Sequence, residues 1–279
     1  MRFPTPPGVE LMTSDVSPGA WLDERLMPLS SEGTRVGVIV PPGFAAYARI
    51  LHPAQRRVPD GYVDATWAEV AAERGKVIHP EVQFGVLLGD EWEAGTNQWG
   101  DGFQPEEGSM PQHVSPRLLP ILERHTRTPD ECWMCVWDGF GFLSGGALLR
   151  LEPRSPVLRW WRRRGALRAS RREQQELAQI PTVKIHPAPA GRGAFRAYFL
   201  LRGPLSAVEG FAFDGTYQSP NYLWPEDRAW CLATEIDDCS TYVGGNAELV
   251  RDLLESNLEV VHSDPENRFD WWGDRINDG

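Results

Sequence analysis

The chain has 279 residues, of which 41% are hydrophobic and 10% aromatic, so it is long enough to bury a substantial core. Its apolar runs are far shorter than the roughly 20 residues that a membrane-spanning helix needs, and its Pro-rich start lacks the apolar stretch of a secretory signal. We therefore expect a soluble, cytoplasmic protein whose four cysteines stay reduced. A net charge of −11 opposes general affinity for nucleic acids.

The charges are unevenly distributed along the chain. Eight arginines and no acidic residue lie between Arg154 and Arg172, whereas residues 224–279 hold fourteen acidic residues and four arginines. Such asymmetry affects association and solubility more than it affects the fold. It also suggests that the basic segment lies over the acidic end of the molecule.

The first elements predicted are two strands and a turn. Residues 1–20 carry four prolines and predict an irregular leader. Thr34–Val40 is rich in β-branched residues and Phe44–Leu51 alternates bulky and small side chains, so both predict strands. Pro41-Pro42-Gly43 between them has the composition of a turn, which would pair the two strands.

Two helices have clear start signals. Thr66–Arg74 places Thr66 three residues before Glu69, which is the spacing of a capping box, and Gly75 is a suitable stop. Ser115-Pro116 places a proline in the first turn of a second amphipathic helix.

The remaining elements complete the prediction of fold class. They are strands at Cys132–Trp137, Gly146–Leu151, Phe195–Leu201, Ala229–Ile236 and Leu258–Val261, and helices at Ser170–Ile180 and Asn246–Leu254. Strand pairs separated by single helices predict an α+β fold, with a mainly antiparallel sheet and helices packed on one face. We predict one domain over residues 21–279, with an Arg-rich insertion at 153–189.

Cys132 and Cys135 have the C-x-x-C spacing of a redox motif or of half a zinc site. They lie in a predicted strand, where residues three apart point to opposite faces and the thiols diverge. Cys231 and Cys239 do not supply a second pair of that spacing. We therefore interpret the cysteines as buried and unreactive.

Glu235 and Asp237 share one face at the end of a predicted strand. With Asp214 or Asp138 they could hold a divalent cation, which would activate water in a metal-dependent hydrolase. The alternative is an acidic strand end that is solvated or paired with arginine, and we favour it. We accordingly predict no bound cofactor.

The Arg-rich segment interleaves aromatic and cationic side chains at Trp160, Trp161, Arg162, Arg163 and Arg164. This mixture could bind phosphates and stack on bases, or insert at an anionic membrane surface. A solvated loop, or an intramolecular partner for the acidic residues, is the simpler interpretation.

Two weaker patterns have structural explanations. Ser240–Asn246 could present backbone N–H groups to an anion at a helix start, but Asn246 is better explained as a helix cap. None of the six histidines has the spacing of a metal or catalytic motif, so we expect them to be structural.

Three segments resemble hypothetical proteins of high-GC Gram-positive bacteria, a group with no assigned activity. They are Val40–Pro53, Trp133–Gly141 and Trp224–Gly245, which together cover about 45 of the 279 positions. The resemblance implies a bacterial, cytoplasmic setting, and it carries over no catalytic residue.

Three functions remain open on the sequence alone. The first is a non-catalytic protein-interaction or regulatory module, immunity-like, that acts on an unidentified partner; an acidic binder of this kind would be steered towards a basic partner. The second is a hydrolase using Glu235, Asp237 and Asp214 as metal ligands. The third is a nucleic-acid or membrane-surface binder acting through residues 160–164. The sequence does not set the oligomeric state.

Overall fold

The structure is a computed structural model that describes residues 3, 5–29, 33–89, 105–140, 143, 175–185, 196–213, 215–269 and 273–277. Its helices are α1 (Ala20–Arg25), α2 (Trp67–Glu73), α3 (Phe84–Leu88), α4 (Ser115–Arg124) and α5 (Ala247–Leu254). Its strands are β1 (Glu10–Leu11), β2 (Ala46–Leu51), β3 (Ala54–Val58), β4 (Gly61–Ala65), β5 (Cys132–Trp137), β6 (Thr182–Ile185), β7 (Arg196–Gly203), β8 (Ala212–Phe213), β9 (Thr216–Tyr217), β10 (Tyr222–Pro225), β11 (Cys231–Thr234), β12 (Ser240–Gly245) and β13 (Val260–Ser263).

Nine of the described strands form one antiparallel sheet. Its order is β1-β7-β5-β10-β11-β12-β2-β13, and β6 also pairs with β7. The strands β3 and β4 form a separate hairpin, as do β8 and β9. The predicted α+β class with a mainly antiparallel sheet is confirmed.

The two faces of the large sheet bury two different cores, because side chains alternate along each strand. In β5, Cys132 and Met134 join one core, whereas Trp133 and Cys135 join the other. The first core is mainly aliphatic. The second collects aromatic side chains from the neighbouring strands, among them Tyr198, Tyr222, Trp224 and Tyr242.

Helices lie on both faces of the sheet. Leu122 of α4 and Leu253 of α5 are buried in the first core, whereas Trp21 and Leu22 of α1 are buried in the second. The expectation of helices on one face only is therefore corrected. The aromatic face is as apolar as the aliphatic one, and it needs a cover of its own to exclude water. Within the described residues, no helix is both long and apolar enough to cross a bilayer.

The structure corrects the predicted strand at Thr34–Val40. Val36–Val38 form a 3₁₀ helix, and the backbone N–H groups of Val36 and Gly37 donate to carbonyls of residues 267 and 265. A Cβ on Gly37 would lie 2.1 Å from Met27 Sδ, so the chain turns here against a close neighbour. The β-branched pattern correctly indicated burial, since all three of these residues are buried. It did not indicate their backbone conformation, which is not extended.

The leader is less irregular than predicted. Glu10 and Leu11 of β1 pair with β7, and Ser17–Gly19 form a 3₁₀ helix that runs into α1. The partly buried Leu11 packs against the first core, which explains why this end is ordered. The predicted strand Gly146–Leu151 lies outside the described residues, as do residues 170–174 of the predicted helix Ser170–Ile180 and most of the insertion at 153–189.

Candidate functional site

The two carboxylates predicted as metal ligands both contact Arg196, the first residue of β7. Arg196 forms an ion pair with Glu235, and its Nη2 donates to Asp237 Oδ2 at 2.9 Å. The backbone N–H of Asp237 also donates to Glu235 Oε2 at 2.6 Å. The Glu235 side chain is buried, whereas that of Asp237 is 71% exposed. A guanidinium group thus bridges the two carboxylates that a cation would have to bridge.

The third predicted ligand, Asp214, lies outside the described residues. Its alternative, Asp138, is exposed, and its backbone N–H donates to Ala197 O beside Arg196 at 3.0 Å. Within the described part of the chain, no three His, Cys, Asp or Glu side chains are placed to hold a metal ion. The metal site therefore stays a prediction. The same is true of the binding segment Trp160, Trp161, Arg162, Arg163 and Arg164, which is also outside the described residues.

Residues 105–110 form a strap over the turn between β11 and β12. The backbone N–H of Gly108 donates to Asp238 O at 3.0 Å, and Gly108 O accepts from Gln218 Nε2 at 2.9 Å. Gly108 has φ +72°, and a Cβ there would lie 2.6 Å from Ile236 O. Glycine is therefore required both by the backbone conformation and by the close approach of the turn.

Arg49 of β2 is completely buried, which is rare for a charged side chain. Its Nε donates to Ser240 Oγ at 3.0 Å, and its Nη1 donates to Val82 O at 2.7 Å and Pro80 O at 3.2 Å. The guanidinium therefore ties β2 to the start of β12 and to the segment before α3. These bonds offset the loss of hydration that burial imposes on the charge.

Two aromatic rings and one carboxylate surround the same guanidinium. Its Cζ lies 5.4 Å from the ring centroid of Trp67 and 5.5 Å from that of Tyr242, within the range of cation–π attraction. Burial raises the pKa of Asp238, and the charge of Arg49 acts in the opposite direction. Because these groups are buried, the cluster stabilises the sheet and is closed to substrates.

The histidines with described side-chain contacts have structural partners. His79 Nε2 lies 2.8 Å from Asp274 Oδ1, and His125 Nε2 lies 2.9 Å from Asp252 Oδ2. His52 is fully buried against backbone and hydroxyl groups. These contacts agree with the structural roles expected from the sequence.

The four cysteines are buried and reduced. Burial raises the pKa of the Cys132 thiol to about 12, and it raises the pKa of Cys135, Cys231 and Cys239 well above the usual range. Thiols in this state are poor nucleophiles and poor metal ligands. Cys132 and Cys135 join opposite cores, as the strand geometry predicted.

A groove of about 710 Å³ opens on another part of the surface, and we call it the arginine groove. It is lined by Arg35, Glu81, Glu266, Arg268, Gly273 and Arg275. Its walls are fixed by backbone bonds, since Val36 N donates to Asn267 O at 2.9 Å and Phe269 N donates to Thr34 O at 3.1 Å. The backbone N–H of Arg268 donates to Glu81 Oε1 at 2.7 Å. This bond joins the segment that contains Glu81 to the paired segments that contain Arg35 and Arg268.

Two exposed apolar side chains lie on segments that are joined to a lining residue. Ile276 follows the lining residue Arg275 and is 62% exposed, and Val77 is 53% exposed. The side chain of Asn277 holds these two segments together, because its Oδ1 accepts from Val77 N at 3.0 Å and its Nδ2 donates to Val77 O at 2.9 Å. The segment that carries Arg275 and Ile276 is thus fixed to the segment that carries Val77.

The sequence did not identify the arginine groove. Its residues come from positions 35, 81 and 266–275, so no local motif contains them. Only the composition of the sequence gave a signal for the groove. The acidic region at residues 224–279 contains four arginines, and two of them line the groove.

A second exposed apolar region lies on the β3–β4 hairpin. Gly61, Tyr62, Val63 and Asp64 of β4 are all exposed, whereas Ala54 and Ala65 at the base of the hairpin are buried.

No protein-family model, curated protein or solved structure matches the chain. The geometry of the chain itself therefore has to support any functional assignment.

Proposed function

We propose that the protein is a non-catalytic protein-binding module, which regulates a partner through the surface around the arginine groove. The observation that carries the proposal is a groove of about 710 Å³ lined by three arginines, with the exposed Ile276 next to the lining residue Arg275 in the chain. Arginine is enriched in the energetically dominant parts of protein interfaces.

The contacts of Arg196 favour this proposal over the hydrolase hypothesis. Glu235 and Asp237 would have to release a guanidinium before they could bind a cation, and Glu235 is buried with it. A buried carboxylate that loses its counter-ion is strongly destabilising. The bacterial, cytoplasmic and immunity-like parts of the proposal rest on the sequence resemblance and composition.

Site-specific photo-crosslinking tests the proposal. A photoreactive amino acid placed at Ile276 should capture a stoichiometric partner from lysate, and the same amino acid at the exposed Glu248 of α5 should not. Ile276→Asp and Val77→Asp should each reduce recovery of that partner by about tenfold or more.

The matched control is Val63→Asp, which changes another exposed valine on the separate hairpin. Recovery should be unchanged by this substitution. A partner lost equally in all three variants, or the lack of any crosslinked partner, would contradict binding at this surface.

A further inference from the structure

We infer that residues 77–83 form a recognition site for an Asp-x-x-Asn segment, which residues 273–277 of the same chain occupy and which a partner polypeptide with that motif enters by displacing them. We call it the 77–83 site. It lies beside the arginine groove, because Glu81, Gly273 and Arg275 line that groove. The inference does not depend on the proposed function, since a peptide alone tests it.

The segment at residues 273–277 is attached to the protein by polar side chains and not by a hydrophobic core. Asp274 and Asn277 are buried, whereas Arg275 and Ile276 between them are exposed. None of the three cores among the described residues includes a side chain of this segment. Its release therefore removes no side chain from those cores, as the exchange of a bound peptide requires.

The buried carboxylate of Asp274 contacts two donors of the site. Its Oδ1 lies 2.8 Å from His79 Nε2, and its Oδ2 accepts from the backbone N–H of Gln83 at 3.2 Å. Burial raises the pKa of Asp274, but the hydrogen bonds that it accepts outweigh burial and hold the pKa below its ordinary value. Because an ionised carboxylate only accepts, His79 Nε2 carries a proton. The backbone N–H of Glu81 donates to His79 Nδ1 at 3.3 Å, which orients the imidazole from within the site.

The side-chain amide of Asn277 pairs with the backbone of a single residue. Its Oδ1 accepts from Val77 N at 3.0 Å, and its Nδ2 donates to Val77 O at 2.9 Å. The motif also holds its own turn, because Asp274 Oδ1 accepts from Ile276 N at 3.2 Å and from Asn277 N at 3.0 Å. The segment therefore presents its two buried side chains together.

The two buried positions of the motif require different chemistry. Asp274 faces the donors of His79 and Gln83, which suits a carboxylate, whereas Asn277 faces both a donor and an acceptor of Val77, which suits an amide. Exchanging the two residue types would leave a buried polar group unmatched at each position. The side chains between them are exposed, so the site reads Asp-x-x-Asn.

Fluorescence anisotropy on the full chain tests the inference. The probe is a fluorescein-labelled, amidated peptide Gly-Asp-Arg-Ile-Asn, and the matched control is Gly-Asn-Arg-Ile-Asp, which has the same composition and charge. The protein carries Asp274→Asn and Asn277→Asp together, so that its own segment occupies the site less. We expect saturable binding of the probe and at least about tenfold weaker binding of the control peptide.

The native chain is the comparison for occupancy. It should bind the probe at least about tenfold more weakly than the double variant, because its own tethered segment competes at an effective concentration of about millimolar. Adding His79→Ala to the double variant should weaken probe binding about tenfold or more. Adding His262→Ala instead changes an exposed histidine on β13 and should leave binding unchanged.

Hydrogen exchange of the native chain keeps the inference testable if the double variant does not fold. The backbone N–H groups of Ile276 and Asn277 donate to Asp274, so an excess of the probe peptide should speed their exchange by displacing the segment. The control peptide should not change it.

Several results would overturn the inference. They are equal binding of the two peptides, no binding of the probe by the folded double variant, equal binding by the native chain, binding unaffected by His79→Ala, and native exchange that the probe does not change. A partner crosslinked at Ile276 would still support the proposed function in those cases.

Discussion

His52 and Thr241 are joined by a buried hydrogen bond of 2.8 Å between Nε2 and Oγ1. The other ring nitrogen of His52, Nδ1, lies 2.6 Å from the backbone oxygen of Glu106 in the strap. A carbonyl only accepts, so Nδ1 carries a proton, and in the neutral imidazole that burial favours Nε2 accepts from the Thr241 hydroxyl. Thr241 can then accept from Thr234, whose hydroxyl oxygen is 2.8 Å away. This direction of donation applies to the neutral imidazole, which burial favours.

The first prediction is a loss of stability in mild acid. Burial lowers the pKa of His52 to about 4, from an ordinary value of 6.5. The unfolded chain therefore binds this proton at a higher pH than the folded chain, so the free energy of unfolding falls as the pH drops from 6.5 to about 4. The full effect is about 3 kcal/mol.

Urea unfolding at several pH values across this window measures the effect, and His52→Gln is the comparison because it cannot titrate. Acidic residues elsewhere contribute equally to the pH dependence of unfolding in both proteins. The difference between the two curves should therefore be flat above about pH 7 and should change progressively below it. Parallel curves over the whole range would show that His52 is not held neutral.

The second prediction concerns the buried charge of Arg49. Arg49→Met removes the donors to Ser240 Oγ, Val82 O and Pro80 O, and it also removes the positive charge that acts on Asp238. We expect the free energy of unfolding to fall by about 3–5 kcal/mol, the usual result of breaking a buried ionic cluster from one side.

Asp238→Asn is the matched test, because burial raises the pKa of Asp238 and so favours a neutral group there. It should destabilise the protein less than Arg49→Met does, in the same urea unfolding experiment. A loss below about 1 kcal/mol for Arg49→Met would mean that the guanidinium bonds do not hold β2 and β12 together.

Local features of the fold could be predicted because the interacting groups are close in sequence. Thr66 Oγ1 accepts from Glu69 N at 3.1 Å, and Glu69 Oε2 accepts from Thr66 N at 2.8 Å, which is the predicted capping box. Asn246 Oδ1 accepts from Leu249 N at 2.7 Å, so Asn246 is the predicted cap of α5. These interactions span three residues and depend little on the rest of the chain.

Strand pairing could not be predicted in the same way. Phe44–Leu51 was expected to pair with Thr34–Val40, but β2 pairs with β12 and β13, about 190 and 210 positions further along the chain. The strand β12 itself was not predicted, since Ser240–Gly245 is rich in small and polar residues. Its burial between two strands determines its conformation, and that neighbourhood is not encoded locally.

The site residues also divide into features that the local sequence predicts and features that depend on distant parts of the chain. The interpretation of Glu235 and Asp237 as an arginine-paired strand end follows from their types, but nothing local names Arg196 as the partner. The arginine groove joins Arg35 to Arg275 across most of the chain length. The charge counts show that arginines are present in these parts of the sequence. Only the sheet topology brings them together.

The third prediction tests Arg196 as a structural counter-ion. Arg196→Gln leaves the buried carboxylate of Glu235 without its partner, so the free energy of unfolding should fall by about 3 kcal/mol or more. Arg202→Gln is the control, because the ion pair of Arg202 with Glu131 is largely exposed and should contribute less than about 1 kcal/mol.

Calorimetric titration of the native protein with Mn²⁺ completes this test. We expect no saturable heat, since Arg196 occupies the position between Glu235 and Asp237. A saturable heat that is lost in Glu235→Gln would contradict this expectation and would restore the metal-dependent hydrolase hypothesis.

The last prediction compares two glycines with nearly the same backbone conformation. Gly108 in the strap has φ +72° and Gly75 after α2 has φ +67°. A Cβ on Gly75 would meet no atom within 4 Å, whereas a Cβ on Gly108 would lie 2.6 Å from Ile236 O. Both alanine variants lose about 1 kcal/mol to the left-handed backbone, and only Gly108→Ala also incurs a steric clash.

Gly108→Ala should therefore be less stable than Gly75→Ala by a further 1–3 kcal/mol or so, measured by urea unfolding. The displaced strap would also weaken the bond from His52 Nδ1 to Glu106 O. That bond raises the pKa of His52, so the pH dependence of this variant should become steeper than that of the native protein. Equal losses for the two variants would mean that the strap can move away from Ile236 without disturbing the sheet. In that case the neutral state of His52 could not depend on the strap. The same strap contacts both the turn at Asp238 and the ring of His52.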